Sequence, residues 1–190
     1  TLEGIKATIA CNFDRIKINS VIMKNYNHDE IYDLTQFAID HGIDISFIEE
    51  MPLGENNDHD RQAIYYSSDE VLADLQQRYA LSPSLAQTPG PSRYYQLTGN
   101  DNTRVGFISP HSHNFCSSCN RVRMTAEGRL LLCLGQEHSV DLRQVVRRYP
   151  GDKGPIKQAL IKAMDLKPKG HEFYQTQNTF VLRHMNMTGG

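Results

Sequence analysis

The sequence predicts an α/β fold in two parts: βα units of a parallel sheet or barrel at the front, then a mixed module that carries a metal candidate. Three observations predict it. Strand and helix signals alternate over roughly the first 55 residues, the order that βα units produce. That alternation breaks at the polar loop GENNDHD (54–60) and again at SPSLAQTPGPS (82–92), too rich in Pro, Ser and Gly for regular structure of any length. Three of the chain's four cysteines then fall together between residues 114 and 134.

Taken in order, TLEGIKATIA (1–10) is the middle of an amphipathic helix. It has no initiator Met and no charged and apolar leader regions, so the chain is expected to begin inside a larger protein. DRIKINSVIMK (14–24) is β-branched and alternating, with Ile16, Ile18 and Ile22 on one face and Arg15, Lys17, Asn19 and Val21 on the other. In NHDEIYDLTQFAIDHG (27–42), Asn27 is a candidate N-cap with Glu30 three residues on, Ile31, Leu34 and Ala38 follow at helical spacing, and Gly42 is a C′ stop. IDISFIEEMPLG (43–54) reads as the next strand, ended by Pro and Gly. SSDEVLADLQQRYA (67–80) opens with a capping box, Ser67 with Glu70, and RYYQLTGNDNTRVGFIS (93–109) reads as a hairpin around GNDN. Two helical stretches, SVDLRQVVRRYP (139–150) and GPIKQALIKAMD (154–165), precede a polar tail.

Bulk properties exclude several classes. A formal net charge of −2 over 190 residues gives no basic field for nucleic acid or an anionic membrane. No run of some 18 apolar residues predicts a transmembrane helix. Clustered cysteines in a chain of this length do not resemble a secreted disulfide framework, so a reducing, cytoplasmic setting with metal-ligating thiols is expected. Cys11 has no partner at ligand spacing and is expected to be a half-buried structural thiol.

The segment NFCSSCNRVRMTAEGRLLLCL (114–134) holds the chemistry. A two-residue Glu127-Gly128 turn would fold it into a hairpin, pairing Arg123 with Leu132 and Val122 with Cys133. That fold-back returns Cys133 to Cys116 and Cys119 and closes a three-sulfur site. Zinc would need a fourth ligand, which His138 could supply, with His111 and His113 as further candidates. An iron–sulfur cluster on three thiolates would leave one iron open for a substrate. Spacing does not choose between the two metals. Arg121 and Arg123, two apart on a strand, would aim both guanidiniums at one face and suit a phosphate or carboxylate ligand. Lys17 and Asn19 share the same spacing on the front strand; in a barrel their face looks into the lumen, where a lysine needs an anionic partner.

These residues resemble a known family. CSSCNRVRMTAEGRLLLCL, RIKINSVIMK, FIEEMPLG and the terminal NMTGG are similar to the second half of the molybdenum cofactor biosynthesis protein A family, the GTP 3′,8-cyclases, which are radical S-adenosylmethionine (SAM) enzymes. The resemblance runs along essentially the whole chain in the family's order.

It implies that Cys116, Cys119 and Cys133 ligate a C-terminal [4Fe–4S] cluster whose open iron binds the guanine of GTP. Lys17, Asn19, Arg121, Val122 and Arg123 are implied GTP contacts, with the two arginines needed for cyclisation, and Met51 an implied SAM contact. Gly189 and Gly190 are implied to form a tail that reaches the active site, where composition alone reads a frayed terminus. In the family reaction a SAM-derived radical takes the 3′ hydrogen of GTP, and the ribose carbon attacks C8 to give 3′,8-cyclo-7,8-dihydro-GTP. The implied partners are an electron donor, a second copy of the chain, and cyclic pyranopterin monophosphate synthase as the next enzyme.

Two departures stand out. The family's Cys-x-x-x-Cys-x-x-Cys radical motif, which would hold a second [4Fe–4S] cluster, is absent, so the isolated chain is expected to be inactive. Ser46 stands where many members carry Arg, which also leaves room for a divergent radical SAM relative. The expectation is therefore an α/β chain: residues 1–60 as the last βα units of an incomplete TIM-type barrel, and residues 61–190 as an α+β extension binding cluster and GTP. The lumen faces of both front strands are expected to be uncovered, and the isolated chain unstable. The alternative from another class is a zinc-ribbon-like binding module on Cys116, Cys119, Cys133 and His138, without catalysis.

Overall fold

The computed structural model describes residues 1–53 and 60–171. Within these the chain divides into two compact units, one of Thr1–Glu50 and Asp60–Asn114, the other of residues 51–53 and 115–171.

The first unit is a five-stranded mixed sheet of order β1-β2-β5-β4-β3. Helix α1 (Leu2–Ala10) leads into β1 (Lys17–Ile22), and α2 (Ile31–His41) connects β1 to the parallel β2 (Asp44–Glu49). This is the expected βαβ unit. The short α3 (Arg61–Ile64) and then α4 (Ser68–Gln76) follow, before β3 (Leu81–Pro83), β4 (Arg93–Leu97) and β5 (Asn100–Ile108). β5 pairs parallel with β2, while β3–β4 and β4–β5 are antiparallel. The front sheet therefore takes three of its five strands from beyond residue 60.

Alternation decides which face is core. Ile22, Ile45, Phe47, Val105, Phe107 and Leu97 pack against Ile31 and Ala38 of α2 and Val71 and Leu75 of α4. The opposite face carries Lys17 and Asn19 of β1, Asp44 and Ser46 of β2, and Arg104 and Gly106 of β5, in register across the parallel strands. The β1 residues of this face are exposed, as expected. Those of β2 are not: Asp44 and Ser46 are buried, covered from β5 and β4 by long-range pairings that a local reading does not contain.

Local signals hold where they are self-contained. The Ser67–Glu70 capping box forms in full, and Gly42 ends α2 at φ 61°. Asn27 does not cap α2. A 3₁₀ turn, His28–Glu30, intervenes, and the Asn27 side chain instead accepts from the Met23 amide and donates to the Val21 carbonyl, tying off the end of β1. The β4–β5 turn lies at Thr98-Gly99, overlapping the predicted GNDN at its first residue, Gly99, which has φ 80°. Cys11 is exposed rather than half-buried, because α1, at whose C-terminus it sits, buries none of its residues.

In the second unit β6 (Arg123–Met124), β7 (Arg129–Leu131) and β8 (Ser139–Asp141) form an antiparallel sheet backed by α5 (Leu142–Arg148) and α6 (Lys153–Asp165). Its small core is Leu130, Leu132, Leu142 and Ala163. Among the described residues no helix is long and apolar enough to cross a membrane.

Candidate functional site

The cysteine hairpin forms, but in a different register. Thr125 donates its amide to the Arg129 carbonyl at 2.9 Å, leaving a three-residue loop, Ala126 to Gly128, in place of the two-residue Glu127-Gly128 turn. The cause lies outside the hairpin. The Gly128 carbonyl accepts from the amides of Leu142 and Arg143 at 3.0 and 3.1 Å, the first residues of α5, and at φ 78° only a glycine suits the place. Arg123 therefore pairs with Leu131, not Leu132, and the expected pairing of Val122 with Cys133 does not form. Only Arg123 of the arginine pair lies on the strand; Arg121 and Val122 precede it, both exposed.

Cys116 begins a 3₁₀ turn that returns the Cys119 amide to its carbonyl at 3.1 Å. Cys116, Cys119 and Cys133 are half-buried and outside any disulfide. Lys167, after α6, links the two cysteine segments: its ammonium donates to the Leu132 carbonyl at 2.7 Å and lies 3.9 Å from the Cys119 sulfur. Among the described residues no three His, Cys, Asp or Glu side chains converge to hold a metal. His138 is exposed, its Nδ1 engaged with Gln136 Oε1 at 2.9 Å. In chemistry the donor set suits a thiolate-bound group: three sulfurs from two segments, with a cation beside one of them to offset negative charge.

His111 and His113, the other candidate ligands, belong to the first unit. His111 Nε2 meets the Glu50 carbonyl at 2.9 Å, and His113 Nε2 meets Asp69 at 2.8 Å. Met51 is half-buried in the segment after β2, its carbonyl accepting from Leu53. Gly189 and Gly190 lie outside the described residues.

The polar sheet face of the first unit is more fully built than its sequence suggests. Lys17 donates to the Tyr94 hydroxyl at 3.4 Å. Tyr94, on β4, is buried, and the Arg104 guanidinium lies 4.6 Å from its ring centroid. Arg104 in turn forks onto the buried Asp44, with Nη2–Oδ2 at 2.5 Å. Ser46 and Ser92 share a buried hydrogen bond at 2.8 Å. Burial alone would push the Tyr94 hydroxyl up, but hydrogen bonds with Thr88, Lys17 and Ser92 and the Lys17 charge bring it below the ordinary phenol value.

Gly106 makes this packing possible. A Cβ there would stand 2.2 Å from Ser92 Oγ, 2.5 Å from Ser46 Oγ and 3.0 Å from Tyr94 Cε1. Gly106→Ala is expected to destabilise the first unit by about 1–3 kcal/mol, the usual cost of overpacking, read from the urea midpoint. A midpoint equal to that of the parent would show that the trough yields freely.

Sequence reasoning missed Tyr94, Ser92, Arg104, Gly106 and Lys167. A glycine inside the apolar run Val105–Phe107 is the usual mark of close backbone approach and was the one available signal. Lys167, in a polar tail, carried none.

The chain thus combines a mixed α/β sheet with a polar face and a hairpin unit bearing three thiols. Residues 43–173 match the family described as Molybdenum Cofactor Synthesis C, and the chain belongs to that family. It is 55% identical over 189 residues to a GTP 3′,8-cyclase of Saccharophagus degradans and 53% identical to one of Ectopseudomonas mendocina. It is 52% identical to GTP 3′,8-cyclase 2 of Pseudomonas aeruginosa. In each case the alignment covers 100% of this chain and 57% of the relative, so the chain spans little more than half the length of these relatives.

Proposed function

We propose that this chain is the substrate-binding half of a GTP 3′,8-cyclase acting in molybdenum cofactor biosynthesis, a lyase that forms 3′,8-cyclo-7,8-dihydro-GTP by SAM-derived radical chemistry. The observation that carries the reading is the Cys116-x-x-Cys119-Asn-Arg121-x-Arg123 run with Cys133 two residues beyond β7, within a chain more than half identical to proteins of that name. The parallel strands β1, β2 and β5 would be the last of an incomplete TIM-type barrel, with Lys17 and Asn19 on its lumen face. In that reading the barrel part begins in residues 1–60, and the region 61–190 adds strand β5 to it as well as the cluster- and GTP-binding module.

A [4Fe–4S] cluster held by Cys116, Cys119 and Cys133 would supply one iron with an open position for the guanine of GTP. The chain's own residues do the orienting. Arg121, Val122 and Arg123 would hold the nucleotide beside the cysteines, restricting its geometry. Lys17 would neutralise an anionic part of GTP from the first unit, with Asn19 beside it on the same strand face. Met51 would contact SAM, and Gly189 and Gly190 would belong to a tail that enters the active site. The radical-forming second cluster and its electron donor would lie outside these residues. A homodimer, cytoplasmic location and onward use of the product by cyclic pyranopterin monophosphate synthase complete the reading.

The test is metal analysis of intact, anaerobically reconstituted protein. Joint Cys116→Ala, Cys119→Ala and Cys133→Ala substitution is expected to remove about four iron and four sulfide per chain. A parent that binds one zinc at these cysteines, with iron content unchanged by the substitutions, would instead support the zinc module.

A further inference from the structure

We infer that Tyr94 is a positioning residue for Lys17, holding the lysine ammonium in place for the phosphates of a nucleotide. This rests on the proposal that Lys17 contacts GTP. The two residues are far apart in the sheet as well as in sequence: β1 and β4 are separated by β2 and β5. The tyrosine ring spans that distance because what lies beneath it is small. Ser46 on β2, Gly106 on β5 and Ser92 leading into β4 form a trough with no side chain larger than a hydroxymethyl.

The ring's orientation is fixed from both ends. Arg104 lies against it at 4.6 Å, and Asp44 locks Arg104 by a two-pronged ion pair. At the other end the hydroxyl meets Lys17 at 3.4 Å. An exposed lysine keeps several rotamers, and binding an anion must fix one of them. A buried phenol oxygen at the ammonium, on a ring held by Arg104, lowers that cost beforehand. Arg104 is committed to Asp44 and does not take over this task, so Lys17 is the cation that the trough presents to a ligand.

Tyr94→Phe keeps the ring, the trough and the Arg104 contact and deletes only the oxygen. In the intact protein, GTP affinity is expected to fall roughly threefold to tenfold, with guanosine affinity and thermal midpoint unchanged. In a Lys17→Met background the same substitution is expected to change GTP affinity by less than about twofold, since the coupling is then absent. Unchanged GTP affinity in Tyr94→Phe, where Lys17→Met alone weakens binding, would overturn the inference and leave the reading of Lys17 standing. An equal loss in the Lys17→Met background, or an equal loss for guanosine, would also overturn it, by showing a merely structural effect. If Lys17→Met leaves GTP affinity unchanged, the underlying reading falls and the inference with it.

Discussion

Glu49→Ala is expected to destabilise the first unit by about 3–5 kcal/mol, the loss typical of removing one side of a buried charged network. Glu49 is 1% exposed, at the end of β2. Its Oε1 accepts from the amide of Ser68, the first residue of α4, at 2.9 Å, and its Oε2 accepts from the amides of His111 and Ser112 at 2.9 and 3.1 Å. The Ser112 hydroxyl also donates to it. One carboxylate thus satisfies a helix N-terminus, where negative charge is favoured, and the loop after β5. Alanine would strand the buried Ser68 amide at its full desolvation cost and leave the part-buried donors of His111 and Ser112 without their partner. Glu49→Gln, which accepts with one oxygen only, is expected to lose less.

The same group makes stability depend on pH. Burial alone would raise the Glu49 carboxyl, but bonds from the Ser112 hydroxyl and the amides of Ser68, Ser112 and His111 bring it below its ordinary value. A carboxyl depressed in the folded state adds stability that is complete above its unfolded value of about 4.3 and is lost as pH falls through the lower folded value. Urea midpoints measured from pH 6 down to pH 3 should therefore decline more steeply in the parent than in Glu49→Gln. Equal slopes would remove Glu49 from the acid transition.

Asp44→Ala is expected to cost a similar amount, about 3–5 kcal/mol, for a different reason. Asp44 is 1% exposed and receives the Arg104 fork, the Arg104 amide at 2.9 Å and a longer contact from Arg15 at 3.4 Å. Its hydrogen bond and charge, against the opposing effect of burial, raise the Arg104 guanidinium above its ordinary value. Without the carboxylate, Arg104 keeps its charge in a place that is mostly closed to water. The double variant Asp44→Ala, Arg104→Met should recover part of the loss, because the stranded charge is gone. No recovery would show that the backbone bond to the Arg104 amide, rather than the ion pair, is what Asp44 supplies.

The parts legible in the sequence were those fixed by neighbours. The alternation in KINSVI gave the two faces of β1, and Ser67-x-x-Glu70 gave the start of α4, because both depend on residues within one turn or pleat. Cys116, Cys119 and Cys133 drew notice by type and spacing. What escaped were outcomes set by distant partners. The hairpin register depends on amides of α5 docking at Gly128, fourteen and fifteen residues on from it. Strand β5 joins the parallel edge of a sheet begun some eighty residues earlier, and nothing within TRVGFIS announces β2 as its neighbour. The phenol beside Lys17 was illegible for the same reason, since it reaches the lysine across two intervening strands.

The trough under Tyr94 also carries a message about descent. An arginine at position 46 has no room beneath a tyrosine ring, beside Ser92 and above Gly106, because Ser46 itself is fully enclosed. Lineages in which position 46 is arginine should therefore carry a smaller or displaced side chain at position 94, while serine at 46 should travel with an aromatic there and a glycine at 106. On this view Ser46, Ser92, Tyr94 and Gly106 form one packing set, in which a change of size at any member must be met by another.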